Sequence, residues 1–511
     1  MENSKVLPDI RIRKIILTDF RNIKHSEIEL PNGKTEDLDD GIPSILGLYG
    51  QNGSGKTSLL LAISALKSAL SGKVFSFVEY GSCIRAGCDH SRLEFEFSAI
   101  NEEGTEFDFY YAFSLGIENR DSNKRIAASE YDESLELFGF DKIFSDKGYD
   151  QISEIINPKN KGIIVYDEVL QYASRSKSGD KNNKQVLIDT SKEACFGPKK
   201  AFGNKKKYEQ LTANCDADID DFLYDAKVEA KHDSVSFIFS EKVISELYRG
   251  SSEQLYQIIL RSLYEFGNNY LFVILTSDTA INSMKILPLS LWIDGGKEGS
   301  GGLLYPLKLF DHCQAAEELY PLLKAAIASI SKVVSTIVPG LGIEIEDSGA
   351  YRSKSGQEIH SFDLVSVRGN VRIPLAYESD GIRRIISFLS LVTAVYNNSS
   401  VTVAIDEIDS GIFEYMLGEI LSVLGESAKG QLIFTSHNLR PLEVLPPKNL
   451  LFTTVNPERR FAKLEGISGN NNLRDCYFRT IDLGVGKDAF YDATDTFCIE
   501  QALYEVGHQE E

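Results

Sequence analysis

Two stretches of the chain alternate apolar and polar residues, as β-strands with one buried face do. Residues 9–33, DIRIRKIILTDFRNIKHSEIELPNG, end in an Asn32-Gly33 turn, and they predict two antiparallel strands with Phe20-Arg21-Asn22 at their bend. A second strand-rich segment lies near residues 76–115. We therefore predict an antiparallel β subdomain in the N-terminal part of the chain.

The middle of the chain changes to a helical pattern. From about residue 208 to 335, apolar residues recur at intervals of three and four positions. The pattern has no sustained heptads, which argues against a long coiled coil. We predict three parts: an N-terminal lobe at residues 1–170, a mainly helical insertion for partner docking at 171–340, and a second lobe at 341–511.

A short apolar segment ends at Tyr49, and an apolar helix begins a few residues later. The turn between them, GQNGSGKT, matches the P-loop pattern G-x-x-x-x-G-K-[ST] in its strand–loop–helix context. Glycines let successive N–H groups point at phosphate oxygens, and the helix start adds its positive dipole end. Lys56 can reach the β- and γ-phosphates, and the Thr57 hydroxyl can ligate Mg²⁺. The sequence therefore predicts a nucleoside triphosphate site that comprises Gly50, Asn52, Gly53, Ser54, Gly55, Lys56, Thr57 and Ser58.

Two carboxylates follow a β-branched run far along the chain. The strand in VTVAIDEIDSG ends at Ile405, and Asp406 and Glu407 come next. A buried parallel strand points its C-terminal end at the nucleotide crevice, so Asp406 is predicted to hold the Mg²⁺ shell and Glu407 to deprotonate the attacking water. Another short strand precedes His437, which is predicted to hydrogen-bond the γ-phosphate, although such a histidine taken alone is more often structural.

A helix with an unusual start precedes the acid pair. In AYESDGIRRIISFLSLV, residues 376–392, the apolar positions after Gly381 follow helical spacing, and Ser379 can cap the first turn. The free N–H groups of such a start bind anions. Because the other motifs occupy one face of the nucleotide, we predict that Ser379 and Gly381 contact the γ-phosphate of ATP held by another subunit. The alternative is a helix cap without further function.

The composition of the chain argues against several other classes of protein. The chain has 511 residues and seven cysteines, an odd number that fits a reducing cytosol better than a disulfide framework. It contains no apolar run near the roughly 18 residues that a membrane span needs, and its start lacks a secretory core. We expect a cytoplasmic protein. The net charge of −21 argues against binding nucleic acid with the whole surface.

Taken together, the motifs resemble those of ABC-type ATPases of the SMC, RecF and OLD-like group, over residues 10–70 and 360–440. The form YESDGIRRI is closer to the Glu-Ser-x-Gly signature of OLD-like and anti-phage-defence ATPases, such as the ATPase subunits of PARIS, Septu and retron systems. The resemblance implies ATP and Mg²⁺ as cofactors. It assigns the signature to Ser379 and Gly381, the catalytic base to Glu407, the switch to His437, and a place near the adenine to Arg21 and Asn22.

The resemblance also implies an α/β fold, a P-loop head of the ABC and RecF type with an N-terminal antiparallel subdomain and a mainly helical insertion. Two subunits would sandwich ATP head to tail, as a homodimer or a higher oligomer. The implied function is an ATP-hydrolysing sensor and scaffold of a bacterial defence system. It would respond to DNA or a phage component and control a separately encoded effector, for example a nuclease, because we expect no nuclease domain in this chain.

A DNA-repair or recombination ATPase that clamps duplex DNA is the alternative. The lysine-rich run GPKKAFGNKKKYEQ would then be a local basic patch, although a solvated loop explains it as well. The ATP subunit of a membrane transporter is disfavoured, since the Ser-Gly-Gly-Gln opening of that class is absent. Two features depart from the group: Phe413 stands where an aspartate acting in trans is expected, and the stretch DSGIFEY lacks the His-Pro often seen there in OLD-like proteins. Gln151 and Gln171 are available for the coordinating glutamine of the group, but neither has a diagnostic context.

Overall fold

The computed structural model describes residues 9–101, 104–119, 161–175, 183–191, 219–248, 255–276, 286–293, 301–308, 313–352, 356, 358–463, 472–483 and 495–507. Its strands are β1 (Asp9–Phe20), β2 (Ile23–Glu29), β3 (Ser44–Tyr49), β4 (His90–Ile100), β5 (Glu106–Asn119), β6 (Lys161–Arg175), β7 (Gln185–Asp189), β8 (Leu271–Ile274), β9 (Ile286–Ile293), β10 (Gly301–Lys308), β11 (Cys313–Ala316), β12 (Gly342–Arg352), β13 (Glu358–Arg368), β14 (Val371–Pro374), β15 (Thr402–Ile405), β16 (Gln431–Thr435), β17 (Leu450–Thr453) and β18 (Phe461–Ala462). Its α-helices are α1 (Thr35–Asp39), α2 (Lys56–Leu70), α3 (Phe77–Tyr80), α4 (Ile219–His232), α5 (Glu241–Tyr248), α6 (Leu255–Glu265), α7 (Tyr320–Ile337), α8 (Asp380–Asn397), α9 (Glu414–Ser427), α10 (Pro441–Val444), α11 (Leu473–Leu483) and α12 (Thr496–Gly507).

The first strands of the chain, except β3, form an antiparallel sheet with the strand order β2-β1-β4-β5-β6-β7. The predicted pair is confirmed, because Phe20 lies opposite Ile23 across a two-residue bend in which Arg21 has a φ of 53°. Alternate residues of β1, including Ile15 and Leu17, are fully buried. The period-2 alternation of the sequence therefore gives this sheet a single apolar face against the core.

A second, mostly parallel sheet forms the centre of the molecule, with the order β18-β17-β3-β16-β15-β8. Strands β3, β16 and β15 are buried on both faces, which explains their continuous apolar sequences. All three end at the same edge of the sheet because they run parallel. The P-loop, the acid pair and the residues before His437 are therefore neighbours, and the predicted α/β fold class is confirmed.

Two buried side chains join the sheets. The Gln431 side-chain amide donates to the Ile12 carbonyl at 2.8 Å and accepts from the Ile12 N–H at 3.2 Å. The guanidinium of Arg11, next to it on β1, donates to the carbonyls of Asn32, Ile42 and Lys429 at 2.7–2.9 Å. Burial lowers the pKa of Arg11 to about 10, and Asp37 and Asp9 oppose that shift. These contacts tie the antiparallel sheet to β16 and to the loop that precedes it.

The middle of the chain contains more strands than its helical pattern predicts. Strand β6 crosses the expected boundary at residue 170, and β7 extends the same antiparallel sheet. Strand β8, inside the predicted insertion, pairs with β15 in the central sheet. Short apolar runs such as LFVI do not distinguish a strand from a buried helical turn by period alone, which is why β8 was missed. The three-part division of the chain stays a prediction, with one strand across its first boundary and one strand of the insertion in the central sheet.

Other strands of the second half lie outside the central sheet. Strands β9 and β10 form a hairpin, and β13 pairs with β11, β12 and β14. Helices α7 and α8 pack with the hairpin and the central sheet in one apolar core. Within the described part of the chain, no helix combines the length and apolarity that a bilayer crossing requires.

Candidate functional site

The P-loop curls at three glycines that lie in the left-handed region. Gly50, Gly53 and Gly55 have φ angles of 147°, 76° and 107°. A Cβ atom on Gly50 would lie 1.8 Å from the Thr453 hydroxyl oxygen, so no other residue fits there without moving β17. Ser54 also contacts that hydroxyl and donates to the Gln51 carbonyl at 2.5 Å. Strand β17 therefore supports the base of the loop.

The remaining P-loop residues divide into an exposed tip and a buried base. Asn52, Gly53 and Thr57 are exposed, whereas Ser54, Gly55, Lys56 and Ser58 are buried. The Lys56 ammonium donates to the carbonyls of Gly50 and Gln51 at 2.6 and 3.1 Å. Burial lowers the pKa of Lys56, while the carboxylates of Asp406, Glu407 and Asp409 oppose the shift.

Asp406 is the most completely hydrogen-bonded carboxylate of the site. It is 2% exposed, and its Oδ2 accepts from the hydroxyls of Thr57 at 3.1 Å and Thr276 at 2.7 Å. Its Oδ1 accepts from the Thr435 hydroxyl at 2.6 Å. Hydroxyl and carboxylate oxygens are the hard ligands that Mg²⁺ prefers, so this group of side chains fits the cation implied by the sequence.

Glu407 sits in a strained backbone conformation beside Asp406. Its φ is 49°, and its N–H donates to the Thr435 hydroxyl at 2.8 Å. Its side chain remains 39% exposed, and one carboxylate oxygen lies 4.0 Å from Nε2 of His437, whose side chain is 45% exposed. Strain of this kind persists where surrounding contacts enforce it. The Glu407 carboxylate is open to water, whereas that of its neighbour Asp406 is buried.

The loop of His437 is held by Asp409, a residue that the sequence analysis did not single out. The Asp409 carboxylate accepts from the N–H groups of His437 at 3.3 Å and Asn438 at 3.1 Å. Asp409 follows the acid pair by only two positions, so one loop carries the catalytic candidate and orients the histidine. The spacing of Asp409 from Asp406, DxxD, is not typical of any particular role, so the sequence provided no reason to select Asp409.

Asn22 links the bend of the N-terminal hairpin to the P-loop. Its side-chain amide donates to the Gly53 carbonyl at 2.9 Å and accepts from the Ser58 hydroxyl at 3.2 Å. The backbone N–H of the neighbouring Arg21 donates to the Cys83 carbonyl at 2.8 Å. Asn22 thus contacts the phosphate-binding loop itself. The position near the adenine that the resemblance implies for Arg21 and Asn22 stays a prediction.

Arg460 supports Asn22 from the C-terminal end of the chain. Arg460 is only 8% exposed, whereas its neighbour Arg459 is exposed. Its guanidinium donates to the carbonyls of Thr454 at 2.8 Å and Asn22 at 3.0 Å. Burial, followed by the nearby Arg85, lowers the pKa of Arg460.

Ser379 and Gly381 lie at the start of α8, as expected. The Ser379 hydroxyl accepts from the Ile382 N–H at 3.4 Å. A Cβ on Gly381 would lie 3.9 Å from the Gly411 carbonyl, in the loop that follows the acid pair. Arg384 donates to the Ser410 hydroxyl of the same loop at 2.5 Å. Among the hydrogen bonds of the described residues, none joins Ser379 or Gly381 to the P-loop of the same chain.

Glu378 anchors this helix start to β13. Its side chain is 6% exposed and accepts from the Ser366 hydroxyl at 2.5 Å and the Arg368 guanidinium at 2.7 Å. Burial alone would raise the pKa of Glu378, but the Ser366 and Arg368 hydrogen bonds outweigh burial and leave the pKa lowered. A carboxyl whose folded pKa is lowered stabilises the fold above its ordinary pKa, and that contribution is lost as pH falls.

Replacing Glu378 by Gln is therefore expected to reduce the free energy of unfolding at pH 7 by about 1–2 kcal/mol, since it removes a charged acceptor of two hydrogen bonds. The difference should shrink as pH falls below the ordinary glutamate pKa of about 4.3 and on through the lowered pKa of the folded state, because the unfolded chain takes up the proton first. Urea unfolding at pH 7 and 3.5 measures both values. Glu344→Gln, which removes a pair with Arg372 in which both side chains are about half exposed, is the control and should cost less. An equal loss at both pH values would contradict this account.

Of four further features of the sequence, two lie in the described residues and two lie outside them. Phe413, where the resemblance implies an aspartate, is 67% exposed, and its ring lies 5.9 Å from that of Tyr415. Gln171 lies in β6 of the antiparallel sheet, opposite Tyr110. Gln151 and the lysine-rich run at residues 199–207 lie outside the described residues.

Comparison with known proteins gives one family match. A family model described as AAA ATPase domain matches residues 11–440. No curated protein matches the chain.

Among solved structures, the head of Smc bound to the C-winged helix domain of ScpA is similar at 12% identity, with a TM-score of 0.38, over 89% of this chain and 98% of that one. The SMC head domain from Thermotoga maritima is similar at 11% identity and a TM-score of 0.33, over 89% and 99%. The recombination mediator RecF with ATP, of the RecFOR pathway, is similar at 13% identity and a TM-score of 0.31, over 84% and 94%.

Proposed function

The chain belongs to the family of AAA ATPase domains, and from that premise we propose that it binds ATP with Mg²⁺ and hydrolyses it between two subunits. One observation carries the proposal: Thr57 and Asp406, 349 positions apart, lie within hydrogen-bonding distance at 3.1 Å. The first belongs to a complete P-loop, and the second precedes the exposed carboxylate of Glu407. This juxtaposition supports a single Mg-ATP site built from both halves of the chain.

ATP binding would depend on the P-loop. The N–H groups of the glycine-rich turn and the start of α2 bind the phosphates, and Lys56 neutralises the β- and γ-phosphate charge. Thr57 and Asp406 would hold Mg²⁺, which supplies positive charge at the phosphates. Asn22 fixes the loop through the Gly53 carbonyl, so the N-terminal hairpin is part of the binding site.

Hydrolysis would depend on Glu407. Its partly exposed carboxylate can accept a proton from the attacking water, as a general base must. His437, 4.0 Å away, can donate to the terminal phosphate while Asp409 holds its backbone. The strained conformation of Glu407 is consistent with this role, since strain is common at catalytic positions.

The second subunit would supply the start of α8. Ser379 is exposed at a capped helix N-terminus, the kind of site that binds phosphate, and it is not hydrogen-bonded to the P-loop of its own chain among the described residues. Glu407 and His437 are both exposed by more than a third, so their face is open to a partner. A head-to-tail dimer would place two such faces against two helix starts.

The solution mass tests this arrangement. Glu407→Gln should dimerise with Mg-ATP, because it retains ATP, and Ser379→Arg in the same protein should prevent dimerisation by steric block. Ser335→Arg, at an exposed position of α7, is the matched control and should dimerise normally. The comparison uses light scattering with and without ATP. A mass that ignores both ATP and Ser379 would exclude the sandwich.

For the biological role, we propose an ATP-controlled sensor and scaffold of a defence system that regulates a separate effector. The Glu-Ser-x-Gly form of the helix start supports it, and the net charge of −21 suits a scaffold for a basic protein. The affinity for duplex DNA, and its dependence on salt, distinguishes a scaffold from a DNA clamp. The scaffold should show weak DNA affinity at 150 mM salt, whereas a clamp would bind tightly, with an affinity that falls steeply as salt rises.

A further inference from the structure

Thr276 reaches the Mg²⁺ region from a part of the chain that contains neither the P-loop nor the acid pair. It follows β8, which runs parallel to β15 with Ile274 opposite Ile405. Thr276 lies two residues beyond the end of β8, and Glu407 lies two residues beyond the end of β15. Parallel neighbours deliver such residues to one edge of the sheet.

The Thr276 hydroxyl makes a short contact with the carboxylate of Asp406. It donates to Oδ2 at 2.7 Å, and the Thr57 hydroxyl donates to the same oxygen at 3.1 Å. Three distant segments thus meet at one carboxylate oxygen, which belongs to a side chain that is 2% exposed.

The remaining contacts of Asp406 make Thr276 important for its orientation. Oδ1 accepts from Thr435 at 2.6 Å, and the Asp406 N–H donates to the Ile274 carbonyl at 2.8 Å. Thr435, on β16, donates to Oδ1. Thr276, which follows β8 on the other side of β15, donates to Oδ2. Because Thr57 is itself a predicted metal ligand, Thr276 is the donor to Oδ2 that can stay in place when Thr57 turns to a cation.

We propose that Thr276 is a positioning residue for Mg²⁺, acting through Oδ2 of Asp406. The proposal rests on the proposed Mg-ATP site. Hydrogen bonds from such outer partners orient metal-ligating carboxylates, and their removal typically costs 10–100-fold in metal affinity. Through β8, the middle of the chain then contributes to the metal site. The pairing of β8 with β15 positions Thr276 and so affects the affinity for Mg-ATP.

The test compares ATP affinity in Mg²⁺ and in EDTA by calorimetry, for the full chain. The ratio of the two affinities measures the contribution of the metal without any turnover. Thr276→Val keeps the shape and removes the hydroxyl, and we expect it to reduce that ratio about tenfold or more, with the affinity in EDTA unchanged. Thr276→Ser keeps the hydroxyl and should stay within about twofold of wild type.

Thr393→Val on α8, whose hydroxyl bonds only the Leu389 carbonyl of its own helix among the described contacts, is the control for loss of a threonine hydroxyl. A ratio in Thr276→Val within about twofold of wild type would overturn the proposal. So would an equal loss in Mg²⁺ and EDTA, which indicates general distortion, or an equal loss in Thr276→Ser. Absence of ATP binding by the wild-type chain is a different result, because it would reject the proposed ATPase function itself.

Discussion

Glu407→Gln is expected to bind ATP with nearly unchanged affinity and to hydrolyse it at least about 10²-fold more slowly, the low end for loss of a general base. The amide keeps the size of the side chain but cannot accept a proton from water. The backbone contact that places residue 407 is preserved, since it is the N–H that donates to Thr435. Phosphate release and binding of a fluorescent ATP analogue measure the two quantities separately.

Glu419→Gln is the matched control for this substitution. Glu419 is exposed on α9, so the same loss of charge occurs away from the crevice and should leave turnover unchanged. Near-normal hydrolysis by Glu407→Gln would remove Glu407 from the role of base. Loss of ATP binding together with turnover would instead assign it a structural part in the site.

Lys56→Ala is expected to abolish ATP binding, a weakening of at least about 10²-fold. Hydrogen bonds to charged groups contribute about 1.5–3 kcal/mol each, and about 1.4 kcal/mol corresponds to a factor of ten in affinity. Lys56 has a further role, because its ammonium donates to the carbonyls of Gly50 and Gln51 and so supports the curled loop. Calorimetric titration with Mg-ATP measures the loss.

Lys73→Ala removes the same charge from an exposed position just after α2 and should bind ATP like wild type. Unfolding midpoints of both variants distinguish a failed site from a failed fold. If Lys56→Ala retained ATP affinity close to wild type, GQNGSGKT would not be the phosphate-binding loop of this protein.

The elements around the candidate site were largely predictable because their signals are local. The strands that end at Tyr49, Ile405 and Thr435 occur where the apolar runs placed them, and α8 begins after a Ser379 cap. Each depends on residues within one turn or one strand, where side-chain period and capping chemistry act. The left-handed glycines of the P-loop belong to the same class of local signal.

Several partners of the site were not predictable. Thr276 and Arg460 are a threonine and an arginine that belong to no sequence motif. Their contacts join positions 130 and 438 residues apart, to Asp406 and Asn22 respectively. Such contacts depend on strand order and register, which no local pattern encodes.

The amino-acid sequence by itself determined that this chain has a P-loop, an acid pair after a buried strand and a capped helix start, since short-range chemistry specifies all three. The tertiary structure alone decided which other side chains surround them. It placed β8 beside β15, so that the Thr276 hydroxyl donates to the Asp406 carboxylate. It also brought the Arg460 guanidinium within hydrogen-bonding distance of the Asn22 carbonyl. The physical reason is that a hydroxyl or guanidinium gains its role only when packing of the sheets removes water and leaves one partner within reach.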